Sequence, residues 1–106
     1  MEKYLPIADA AERAGLTPAF LEMLAGEGLI EVKRTLDDVL VIAPHELERA
    51  RLIAVLTEEL EVNLPGAEVI VRMREDMIAM QRQFQEILAG LVRELRQGLH
   101  LDREPE

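Results

Sequence analysis

Apolar residues in the C-terminal half recur at alternating steps of three and four positions, which is typical of one long helix with a coiled-coil seam. Asn63 offers a side-chain cap at the start of this helix, and Pro65 fits its first turn. A helix over residues 64–95 is about 48 Å long, too long for the rest of the chain to cover, so we expect a partner helix. The seam consists of Ile70, Met73, Met77, Met80, Phe84, Ile87 and Leu91.

The N-terminal half begins with a pattern of two short helices. Residues 7–14 place their apolar side chains on one face, and Gly15 suits the left-handed residue that ends a helix. Thr17 and Pro18 form a hydroxyl cap followed by a proline at the first helical position, which predicts a second helix over residues 18–25. Two short helices joined by such a turn form a helix-turn-helix unit.

A β-hairpin, here called the wing, is predicted over residues 29–42, with strands at 29–32 and 39–42. Pro44 then begins a third helix, whose predicted core face consists of Leu47, Ala50, Ile53, Leu56 and Leu60. The fold class is therefore mainly α: a helix-turn-helix domain over residues 1–62 with a small hairpin, a long C-terminal helix over 63–98 for dimerisation or partner docking, and a flexible tail over 99–106.

Charge narrows the possible partners. The net charge is −9, and residues 1–65 alone hold 6 Lys/Arg against 13 Asp/Glu. Such a surface repels nucleic-acid phosphates and anionic lipid headgroups and attracts basic protein surfaces. The N-terminus lacks the apolar run of a signal peptide, and we find no stretch long enough to span a membrane. We therefore expect a cytoplasmic location and no membrane partner.

The second helix lacks the side chains that read DNA. Base edges are recognised by Arg, Lys, Asn and Gln, but residues 18–25 contain only Glu22 as a charged residue. The wing holds Lys33 and Arg34 with Asp37 and Asp38 beside them, which argues against DNA as a partner. We instead predict a protein-binding acidic set, although ordinary solvated charges would give the same sequence. The acidic set comprises Glu22, Glu27, Glu31, Asp37 and Asp38.

Catalytic chemistry has no visible basis in the sequence. The chain has no cysteine, which excludes thiolate catalysis and cysteine-ligated zinc. His45 and His100 lack the spacing of a metal-binding pair, and no nucleophile–base arrangement or phosphate-binding glycine loop is present. We predict a non-enzymatic protein without cofactor, metal or catalytic residues.

Several short motifs carry a family resemblance. The segments AAERAGLT at 10–17, GEGLI at 26–30 and ELERARLI at 46–53 resemble the MerR-like winged helix-turn-helix superfamily. The segments LEVNLPGAEVI at 60–70 and MREDM at 73–77 look like the chaperone modulator CbpM family within it. The MerR-like resemblance implies a helix-turn-helix with a hairpin wing and an antiparallel pairing of long C-terminal helices.

The CbpM resemblance implies a small protein that binds the J-domain of a DnaJ-like co-chaperone called CbpA and restrains its work with the chaperone Hsp70. J-domains carry a basic helix that contacts Hsp70, and we expect the acidic set to dock on it. The alternative is a MerR-like DNA-binding transcriptional regulator. A scaffold that recruits an unrelated partner is a third possibility. We expect a homodimer through the long helix, although the seam also suits another chain.

Overall fold

The computed structural model describes the backbone of residues 3–102 and the side chains of residues 3–98. The elements are β1 (Leu5–Pro6), α1 (Ile7–Ala14), α2 (Pro18–Gly26), β2 (Val32–Arg34), β3 (Leu40–Ile42), α3 (Pro44–Ala54), a π-helical turn (Val55–Glu59) and α4 (Leu64–Asp102). They form two compact units, Met1–Val71 and Arg72–Glu106. The mainly helical class with a small antiparallel sheet and a long C-terminal helix is confirmed.

The helix-turn-helix forms at the positions that its capping residues predict. Gly15 has a φ of 69° after α1, and the N–H of Leu16 donates to the Ala11 carbonyl at 2.9 Å. The Thr17 hydroxyl then accepts from the N–H of Phe20 at 3.1 Å, which caps α2 ahead of Pro18. These signals are local in sequence, so the end of α1 and the start of α2 follow from them directly.

The sheet has a third strand that the hairpin prediction missed. Its order is β1-β3-β2, and all pairs are antiparallel. Ile42 of β3 lies opposite Leu5 on one side and Val32 on the other. Pro6 is accommodated because β1 is an edge strand, where a missing N–H costs no ladder hydrogen bond.

The first strand of the wing lies later in the chain than predicted, at Val32–Arg34 instead of residues 29–32. Gly28 has a φ of 75°, and the N–H of Leu29 donates to the Leu24 carbonyl at 2.9 Å, which closes the end of α2. Leu29 is therefore buried by a helix-ending turn. A buried apolar residue in such a turn gives the same local pattern as a short buried strand.

Four of the five core residues predicted for the third helix are buried, and the fifth, Leu60, is 63% exposed. A π-helical turn over Val55–Glu59 follows α3. Because a π turn holds more residues than an α turn, it rotates later side chains away from the helical period. The chain then reverses at Glu61, whose φ is 56°, and the N–H of Val62 donates to the Leu56 carbonyl at 2.9 Å.

The long helix starts as predicted. The side-chain oxygen Oδ1 of Asn63 accepts from the N–H of Gly66 at 2.8 Å, and Ala67 and Val71 of the first turns are buried in the core of the first unit. α4 continues to Asp102, past the predicted end at Gly98. Of the predicted flexible tail, the side chains of 99–102 and all of residues 103–106 lie outside the described residues.

Candidate protein-binding surface

Helix α2 stands where a helix-turn-helix protein places its recognition helix. Leu21 and Leu24 are buried in the core, so the helix is fixed by one face. Its opposite face exposes Glu22 and Met23, and the helix contains no basic residue. An acidic and apolar face suits a protein surface, whereas a phosphate backbone requires cations.

The base of the wing is tied to the start of α3. The backbone N–H of Glu31 donates to the carboxylate of Glu46, which lies in the first turn of α3. The carboxylate of Glu31 lies 3.9 Å from Nζ of Lys33, and this Nζ is 5.4 Å from the centre of the Tyr4 ring. The positive charge of Lys33 therefore lies beside a carboxylate and an aromatic face.

The turn of the wing is closed by three hydrogen bonds around Thr35. The N–H of Thr35 donates to the Val39 carbonyl at 2.9 Å, and its carbonyl accepts from the N–H of Asp38 at 2.9 Å. The Thr35 hydroxyl also accepts from the N–H of Val39 at 3.1 Å. Leu36, the next residue in the turn, is fully exposed.

The two wing aspartates have different surroundings. The Asp38 carboxylate lies 2.9 Å from the Arg34 guanidinium, so these two charges offset each other. Asp37 is exposed at the neighbouring position. Both cations of the wing therefore lie beside carboxylates, and the wing offers no uncompensated positive charge to a nucleic acid.

All members of the acidic set are exposed and belong to the first unit. They occupy three separate segments: Glu22 lies in α2, Glu27 is its C-cap, Glu31 precedes β2, and Asp37 and Asp38 lie in the turn of the wing. A protein partner that contacted the whole set would have to touch the end of α2 and the wing together.

The seam on α4 is exposed along its length, from 41% at Ile70 to 67% at Met77 and Met80. The exposed apolar band is wider than the predicted seam, because further large apolar side chains accompany it. The additional exposed residues are Val69, Leu88, Val92 and Leu95. An apolar band of this length on a helix is typical of a surface that a partner covers.

One cleft of about 200 Å³ lies beside the π-helical turn and is lined in part by Leu16, Val55 and Glu58.

His45 lies 3.2 Å from the carboxylate of Glu46, its neighbour in the chain. Within residues 3–98, no three His, Asp or Glu side chains gather in a way that could hold a metal ion. Within residues 3–102, no helix is long and apolar enough to cross a membrane.

The described fold defines a winged helix-turn-helix protein with a long C-terminal helix. The family model for MerR HTH family regulatory proteins matches residues 5–88, from β1 into the middle of α4. The chain belongs to this family. A search of curated proteins finds no match to it.

Proposed function

We propose that this MerR-family protein is a chaperone modulator that binds the J-domain of a DnaJ/CbpA-like co-chaperone and restrains its action with Hsp70. The observation that carries the proposal is a reversal of charge: α2 and the wing present carboxylates where a DNA-binding relative needs cations. Met23 and Leu36 add exposed apolar area beside them. The result is a surface suited to a basic protein.

The mechanism is occlusion. A J-domain presents a basic helix to Hsp70, and the exposed carboxylates of Glu22, Glu27 and Asp37 are free to approach such a helix from solvent. Opposite charges steer the encounter and set its orientation, and the apolar contacts slow dissociation. While the chain is bound, Hsp70 has no access to the same helix.

The seam supports a homodimer as part of the proposal. Two copies of α4 packed antiparallel through the same band form an isologous contact, in which each copy uses the same surface. Such a contact gives a closed dimer and leaves neither apolar band exposed for a third copy. Seam side chains such as Met77 and Phe84 are exposed in the single chain, so their burial is available to drive the association. Methionine at several seam positions also suits a less specific groove for another helix.

Competition for the J-domain tests the proposal. Hsp70 hydrolyses ATP faster in the presence of a J-domain, and the rate is followed while the full chain is added. We expect the stimulation to fall as the chain saturates the J-domain, and adding more J-domain should restore it. Hsp70 without a J-domain serves as the control, and its basal rate should stay unchanged. Undiminished stimulation at saturating chain would contradict the proposal.

A second candidate is a MerR-like transcriptional regulator that binds DNA, and the family match over residues 5–88 favours it, since the matched family is described as regulatory proteins. A gel-shift series with duplex DNA at increasing salt distinguishes the two. Tight binding whose logarithm falls steeply with the logarithm of salt concentration would support DNA recognition, because each neutralised phosphate releases counterions. For a chaperone modulator we expect no shift even at low salt.

A further inference from the structure

Leu36 is the most exposed large apolar side chain among residues 3–98, at 107% of the reference area. It lies at the turn of the wing, between Thr35 and Asp37. A single exposed leucine on a flexible loop would carry no weight, because scattered apolar residues are common on protein surfaces. The turn that carries this one has internal hydrogen bonds and an ion pair.

Three hydrogen bonds of Thr35 connect the two sides of the turn. Its backbone groups bond both Asp38 and Val39, and its hydroxyl takes a further bond from Val39. The ion pair between Arg34 and Asp38 spans the same turn. Internal contacts of this kind reduce the backbone freedom that is lost on binding, so more of the free energy of burying the side chain contributes to affinity.

Asp38 is a residue type that suits the backbone conformation at its position in the turn. Its φ is 66°, in the left-handed region where glycine is the usual residue and aspartate is among the tolerated ones. The aspartate keeps the required backbone shape and adds the ion pair with Arg34, which glycine could not provide. Leu36 is thereby presented to solvent by a turn with its own internal contacts.

We propose that Leu36 is an anchor that inserts into an apolar pocket edged by lysine or arginine side chains on the protein partner. The exposed carboxylate of Asp37 stands next to it and pairs with that basic edge. Val39, 44% exposed, extends the apolar contact. This inference rests on the proposed function, because the partner is the J-domain.

The chemistry of the turn favours a protein over the other macromolecules that a wing can contact. Leu36 offers no hydrogen bond or charge to a phosphate, and Asp37 repels one. The same aspartate opposes insertion of the leucine into an anionic lipid surface. An aliphatic side chain with a carboxylate beside it instead matches an apolar pocket in a basic protein surface.

Truncation of the side chain tests the anchor. The isolated J-domain is titrated with the full chain, with Leu36→Ala and with Leu60→Ala, which removes the same atoms from another exposed leucine of the first unit. We expect Leu36→Ala to weaken binding about tenfold or more, from the loss of one buried leucine side chain, and Leu60→Ala to bind as the unchanged chain does. Thermal unfolding should be unaltered in both variants, because neither side chain packs in the core.

A fluorescent label gives a second readout. Since the chain has no cysteine, Leu36→Cys carries an environment-sensitive dye at a single site, and Leu60→Cys provides the matched control. Addition of the J-domain should shift the emission of the dye at position 36 to shorter wavelength and leave the control unchanged.

The outcomes separate the anchor from the proposed function. Equal affinity of Leu36→Ala and the unchanged chain, with no shift at position 36, would overturn the anchor while J-domain binding itself stands. An unchanged chain that fails to bind the J-domain would overturn the proposed function and the anchor with it.

Discussion

The Arg34 guanidinium and the Asp38 carboxylate lie 2.9 Å apart across the turn of the wing. One of the two cations of the wing is thus used inside the turn, and the other, Lys33, lies beside Glu31 and the ring of Tyr4. A protein that binds DNA needs lysine or arginine side chains that can approach the phosphates. Here both cations of the wing lie beside carboxylates, and the carboxylate of Asp37 is exposed to solvent.

Charge reversal at Asp37 tests the electrostatic part of the docking. Asp37→Lys should slow association with the J-domain several-fold at low salt, and the difference from the unchanged chain should shrink as salt screens the surface. Stopped-flow association rates measure this. Glu12→Lys, on the exposed side of α1, makes the same change in net charge and serves as the control. Equal slowing by both variants would point to net charge alone.

The left-handed residue of the turn gives a stability prediction. Asp38→Ala places an alanine at a φ of 66° and removes the ion pair, so we expect it to lower the free energy of unfolding by about 1 kcal/mol. Asp38→Gly removes the same pair but relieves the backbone, so its stability should stay close to that of the unchanged chain. Chemical denaturation measures both. A larger loss for Asp38→Gly than for Asp38→Ala would contradict the role assigned to the backbone.

The cap of α4 is tested by Asn63→Ala. This change removes the oxygen that accepts from the N–H of Gly66, and a lost N-cap costs about 1 kcal/mol. Asn63→Asp keeps an acceptor oxygen and should restore most of the stability. Denaturant unfolding followed by circular dichroism distinguishes the two variants, and equal stability of Asn63→Ala and the unchanged chain would exclude a stabilising cap.

The proposed homodimer is tested in the middle of the seam. Met80→Glu places a charge on the apolar band. We expect it to raise the dissociation constant of the dimer at least tenfold, because the carboxylate would have to lose its water on association. Analytical ultracentrifugation measures the dissociation. Ala79→Glu, off the seam on the same helix, is the control and should leave the dimer intact. A monomeric unchanged chain at high concentration would rule out the homodimer.

The parts of the fold that follow from the sequence are those with local chemical signals. Gly15, Thr17 and Pro18 mark the end of α1 and the start of α2, and Asn63 marks the start of α4, each through a hydrogen bond or backbone preference within a few residues. The seam stays a prediction, because its residues are as exposed as most other described side chains of α4 after Val71.

The remaining features depend on tertiary contacts that leave little trace in the sequence. Leu29 is buried by the turn that ends α2, and a three-residue strand is too short to show a period of its own. The π-helical turn over Val55–Glu59 has no residue pattern that distinguishes it from a continued α-helix, so Leu60 was expected in the core. Pairing of β1 with β3 requires distant segments to meet.

The candidate surface also has features that the sequence predicts and features that depend on the folded geometry. The acidic set can be identified from the sequence because the charge of a side chain follows from its residue type. All its members are exposed in the structure. The pairing of Asp38 with Arg34 and the presentation of Leu36 depend on the geometry of one turn. The sequence predicted that segment only as the separation between two strands.

Titration of the isolated J-domain with the full chain at a series of salt concentrations tests the central claim most directly. If the acidic surface of this helix-turn-helix protein binds a basic protein, the J-domain should bind at low salt, and its affinity should decline steadily as salt is raised. No measurable binding to the J-domain at low salt would contradict the claim.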